Sequence, residues 1–97
     1  MARLTSPREL HFTDHAENML RERGIQREWA LATLTEPDWT TPDIHPDRTR
    51  AFRAIPNAGG KILRVVYSKA DGKHRVVTVF FDRNAKRPEG MAHESEF

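Results

Sequence analysis

The chain has no cysteine among its 97 residues. That excludes disulfides, thiolate catalysis and cysteine-based zinc sites. No apolar run approaches the ~18 residues that a membrane helix requires, and residues 1–10 lack the apolar segment of a signal peptide. No membrane association and a cytoplasmic location are the expectation. Aromatic residues make up only 8% and are not interleaved with basic ones along the chain, so a base-stacking platform is not expected. Gly59 and Gly60 precede a strand-like run rather than a helix, which removes a glycine-rich phosphate loop. There is no Gly-x-Ser-x-Gly element and no diagnostic carboxylate pair. None of His45, His74 and His93 has another histidine three or four residues away, and no metal or cofactor is expected.

What remains is a short, polar and mildly basic chain. Hydrophobic residues are 37%, charged residues 31% and the formal net charge is +2, with a mean hydropathy of -0.74 and a pI near 9.4. One domain with a thin core fits this length. The charge balance permits contact with phosphates or an acidic partner without requiring either.

The pattern predicts two helices. Thr13 and Asp14 offer capping oxygens, and Glu17 follows Asp14 at capping-box spacing. Ala16, Met19 and Leu20 give the apolar stripe, and Gly24 is suited to end the helix. A second helix is expected over residues 25–35, with Ala30, Leu31 and Leu34 on its apolar face and Pro37 stopping it. Trp29 lies off that stripe, at the edge of the core. Residues 38–46 read as an irregular connection. Three strands follow, at residues 49–55, 61–68 and 74–82, separated by two turn clusters rich in Gly, Asn and Asp. Residues 9–12 are a candidate edge strand. The expected fold is α+β: two N-terminal helices packed on a curved antiparallel sheet of three to four strands, a domain over residues 9–82, and a polar tail over residues 83–97.

The last hairpin carries the chemistry. If Ser68 faces His74, then Arg64 lies opposite Thr78, and Leu63, Val65, Val77, Val79 and Phe81 share the apolar face, with Tyr67 and Arg75 at its turn end. If the preceding turn pairs Ile55 with Ile62, Arg53 sits beside Arg64. Two guanidiniums next to a hydroxyl suit a phosphate. An arginine in mid-sheet also serves by reaching water or pairing with a carboxylate. His15, in the first turn of the first helix, is the candidate general base or acid. Arg23 lies near that helix's C-terminus, where a cation is favoured in any case.

The segments Phe12-Thr13-Asp14-His15-Ala16, Met19, Glu22-Arg23-Gly24-Ile25, Leu34 and Pro37, then Leu63-Arg64-Val65-Val66-Tyr67 and Val76-Val77-Thr78-Val79, resemble a bacterial domain-of-unknown-function family. That family is thought to be similar to RelE-like toxins and to the barnase-, EndoU- and colicin-like ribonucleases. The resemblance implies a toxin-like, metal-independent endoribonuclease or translation inhibitor, with RNA or the ribosome as target and an antitoxin protein as partner. By the same resemblance His15, Arg64 and Thr78 are catalytic and Arg23, Arg53 and Tyr67 bind substrate. The chain departs at Asn18, where many members carry an arginine. A non-catalytic interaction module with the same fold is the alternative.

Overall fold

The computed structural model describes residues 10–70 and 72–88. The polar lead, Glu9 and residues 89–97 of the expected tail lie outside the described residues.

Strand β1 (Leu10–Phe12) leads into helix α1 (Asp14–Arg23). Thr13 caps the helix, its side-chain oxygen accepting from the Ala16 amide at 3.1 Å. The Asp14-to-Glu17 capping box does not form as read. Thr13 holds the cap position, and Glu17 reaches Arg27 at 2.5 Å instead. Gly24 ends α1 at φ 65, in the left-handed region where a Cβ is penalised. Helix α2 (Arg27–Thr35) begins two residues later than expected, because Gln26 remains extended as its cap. Ala30 and Thr33 are its buried residues, and the Thr33 hydroxyl is satisfied by the Trp29 carbonyl at 2.8 Å. Trp29 packs its ring 6.1 Å from that of Phe81 at the core edge.

Four further strands follow: β2 (Trp39–Pro42), β3 (Arg48–Ile55), β4 (Lys61–Ala70) and β5 (Lys73–Phe81). Their order in the sheet is β1-β5-β4-β3-β2. The expectation of three to four antiparallel strands is thereby corrected on two counts. The sheet has five strands, because the proline-punctuated connection contains β2, which pairs only with β3. Pro42 is tolerated there because an edge strand need not use every amide. The sheet is also mixed rather than antiparallel, since β1 runs parallel to β5. The class remains α+β.

Both helices cover one face. Ala16, Leu20, Ile25 and Ala30 from the helical half meet Ile55, Leu63, Val65, Val76 and Val79 from the sheet in a single buried cluster. Each Leu, Ile or Val among them contributes about 1.5–3 kcal/mol by leaving water. No helix among the described residues is long and apolar enough to cross a membrane.

Two details of register differ from expectation and decide which side chains face where. Ile55 pairs with Lys61, not Ile62. Within the last hairpin Ser68 pairs with Arg75, and a bulge then shifts the ladder: Val66 pairs with Thr78 and Tyr67 with Val76, leaving Val77 unopposed. An extra residue in one strand re-aims everything on one side of it.

Candidate functional site

The sheet face away from the helices is built by cross-strand rows. The first row runs Trp39, Phe52, Arg64, Phe80; the second Thr41, Arg50, Val66, Thr78. The third joins Arg48 to Ser68 and Ser68 to Arg75, with His11 beside Arg75 on β1. Directly paired residues share a face, so four arginines stand together there: Arg48, Arg50, Arg64 and Arg75. Aromatics and cations that are not interleaved along the chain are interleaved across the first row by the fold.

These four arginines are not equivalent. Arg50 donates to Asp43 at 2.6 Å, and that hydrogen bond is the main reason the Asp43 carboxyl is held below its usual range. Arg64 donates to Asp82 at 3.1 Å and lies 5.0 Å over the Phe80 ring. Its Nε is buried without a hydrogen-bond partner, so the carboxylate and the ring engage only part of the guanidinium. Arg48 and Arg75 have no carboxylate partner among the described residues. With Thr13, Ser68 and Val77 they line a pocket of about 150 Å³.

The aromatic part of this face is covered. Trp39 and Phe52 stack with ring centroids 4.8 Å apart at 9°, and both are buried. Arg87 lies 5.9 Å over Trp39 and donates to Asp38 at 3.3 Å. Residues 83–88 of the segment read as a tail therefore include contacts back to the sheet. Asp82 and its neighbours anchor them, the Asn84 amide donating to the Asp82 carboxylate at 2.9 Å.

The six residues singled out from the sequence do not all gather here. Arg64 and Thr78 do share the helix-free face, but diagonally: Arg64 is opposite Phe80, and Thr78 opposite Val66. Arg53 is on the other face, paired with Leu63. The one-residue difference at the preceding turn puts it there, and its guanidinium caps the Glu36 carbonyl at the end of α2. Tyr67 also faces the helix side, level with Thr49 and Val76, its ring 5.4 Å from that of His74. Burial pushes its phenol above the ordinary value, and a hydrogen bond with Thr49 offsets part of that rise. Arg23 is exposed in the last turn of α1. His15 is exposed in the first turn, two residues beyond the pocket-lining Thr13.

Sequence reasoning missed Arg48 and Arg75 as a pair. No motif signals them, and Arg75 comes opposite Ser68 because the turn closes one residue away from the expected pairing of Ser68 with His74. His11 and His15 stand four residues apart, a ligand spacing on one helix, but a strand end and the Thr13 cap separate them. Among the described residues no group of three or more His, Asp or Glu side chains could hold a metal. Asn18, where many members carry arginine by the resemblance above, bonds to Arg21 on the exposed side of α1.

Searches of curated proteins and of solved structures found no match. The pattern of a domain family matches residues 12–81, from the last residue of β1 to the last of β5. The chain belongs to that family, Domain of unknown function (DUF4258).

Proposed function

We propose that the helix-free face is an RNA-binding surface and that the protein is a toxin-like, metal-independent endoribonuclease or translation inhibitor. The observation that supports this reading is the concentration of four guanidiniums on one sheet face, two of them without a carboxylate among the described residues. Arg is the side chain whose planar fork suits phosphate oxygens. Metal-free RNA cleavage needs a base for the 2′-hydroxyl, an acid for the leaving oxygen and cations for the phosphorane charge. His15 is the base or acid in this reading, Arg64 and its neighbours the cations, and Thr78 a hydroxyl donor on the same face as Arg64. An antitoxin protein would hold such an activity in check.

A non-catalytic interaction module is the second reading. It is favoured by Arg50 and Arg64 already being engaged by Asp43 and Asp82, and by Ile44, 91% exposed at the tip between β2 and β3.

Incubating purified protein with RNA, with and without ribosomes, separates the two. Cleavage that His15→Ala abolishes with folding intact supports the first. No cleavage in either setting at stoichiometric protein, and no growth arrest on expression, leaves the second.

A further inference from the structure

We infer that the pocket between Arg48 and Arg75 is a phosphate-binding subsite, set apart from the Arg64–Thr78 region. This deepens the proposal that the face binds RNA, since the group it would hold there is one phosphate of the strand, but it rests on its own geometry.

Arg48, Ser68 and Arg75 form one continuous cross-strand row over β3, β4 and β5. Adjacent strands are about 4.8 Å apart, so the two arginine backbones stand about 10 Å apart with the serine midway. Two side chains of that length, rooted on either side of a short hydroxyl, can bend over it and close on one tetrahedral anion. The ~150 Å³ pocket lies between them. Its other walls are Val77 and the Thr13 side chain, whose hydroxyl accepts from the Ala16 amide and donates to the Val77 carbonyl at 3.5 Å, so Ser68 is the hydroxyl left to bind.

Two guanidiniums that bend over Ser68 together repel one another at that close range. Elsewhere on this face the fold neutralises its arginines with Asp43 and Asp82; in this row no carboxylate does so among the described residues. An anion resolves the repulsion and uses both planar forks together.

Arg64 lies four residues from Ser68 along β4, about 13 Å at the rise of a strand. One phosphate group therefore cannot touch both regions at close range, and a strand laid along β4 would meet them in succession.

The test is an amide NMR titration of the folded chain with inorganic phosphate, beside sodium chloride at equal ionic strength. Phosphate is expected to shift the Thr13, Ser68, Arg75 and Val77 amides, while chloride leaves them in place. Arg48→Ala and Arg75→Ala should each weaken phosphate binding about tenfold or more, as loss of a charged hydrogen bond does. Arg48→Lys should recover only part, because the fork is lost. Dispersed spectra of the variants establish that they fold. Phosphate shifts absent from these amides, or shifts unchanged in both alanine variants, overturn the subsite. A parallel titration with a short RNA reads the broader proposal separately. Phosphate shifts at the pocket with no RNA binding keep the subsite and remove the RNA reading. RNA binding that leaves these four amides in place, and is insensitive to Arg48→Ala, does the reverse.

Discussion

Arg75 stands opposite Ser68, not among the apolar residues of its own strand's inner face, because Val77 has no partner across the ladder. Counting from the Val66–Thr78 pair, an unbroken β5 would turn Val76 outward and Arg75 inward. The bulge reverses both. Val76 becomes fully buried in the core, and Arg75 joins Ser68 and Arg48 on the helix-free side.

Deleting Val77 should therefore be tolerated better than an ordinary mid-strand deletion, because every observed pair from Leu63–Phe81 to Ala70–Lys73 stays in register once the unopposed residue is gone. A loss of about 1–2 kcal/mol is expected, from the contacts of the missing side chain, and urea melts would read it. Val77→Ala should cost less than about 1.5 kcal/mol. Outright unfolding of the deletion variant would show that the fold requires the bulge itself.

Arg64 and Asp82 are only 20% and 14% exposed at their side chains. Breaking such a pair should cost more than a surface ion pair. Arg64→Ala and Asp82→Asn are each expected to destabilise by about 1–3 kcal/mol. The double variant should recover about 1 kcal/mol of the sum, because neither partner is then left alone. Strict additivity in a denaturant cycle would mean that Arg64 acts through its contact with Phe80 alone.

Removing the α1 cap tests the Thr13 hydroxyl, which accepts from the Ala16 amide and donates to the Val77 carbonyl. Thr13→Ala should cost about 1 kcal/mol, a fall of roughly 4–8 °C in Tm for a domain of this size. Thr13→Ser should retain most of it. Thermal melts followed by circular dichroism distinguish the two, and indifference to both would mean that the cap contributes nothing.

The lone tyrosine offers a spectroscopic handle. Burial raises the Tyr67 phenol above its ordinary value, and a raised acid favours the folded state only while it stays protonated. That contribution is complete below the unfolded value of about 10 and disappears as pH climbs through the folded one. Phenolate absorbance should therefore titrate at higher pH in the native protein than in urea. Thr49→Ala, which removes the offsetting hydrogen bond, should move the native midpoint higher still. Coincident native and urea curves would contradict the buried environment.

Much of the fold is readable in the residues because local chemistry is strong there. Gly24 and Pro37 bound the helices, and the dense β-branched runs around Val65 and Val79 leave little choice but strand. Strand β2 was hidden because Pro42 and its neighbours resemble a loop, and edge pairing tolerates what a central strand would not. Pairing was legible only in part. The turn sets the strands one residue away from the pairing its composition suggests, and the bulge adds one more. Two odd errors restore the parity of Arg64 and Thr78, so these do share a face as expected. Arg75 and Val76, between the turn and the bulge, feel only the first and were placed on the wrong sides. Arg53 was misplaced by the similar one-residue difference at Ile55. The site was less legible than the fold for this reason: a core tolerates an apolar residue wherever it lands, while a binding row depends on every intervening count.

The unopposed Val77 also divides the hairpin into two parts that can change independently. On the side towards Asp82, side-chain parity is tied to the core through Leu63, Val65 and Val79. On the turn side, alternation restarts, with Tyr67 and Val76 turned inward. Substitutions at Ser68, Lys69, Lys73 and Arg75 can alter the chemistry of that end without disturbing the aliphatic layer beneath the helices. One uncounted residue thus lets a single hairpin serve as scaffold at one end and as variable surface at the other.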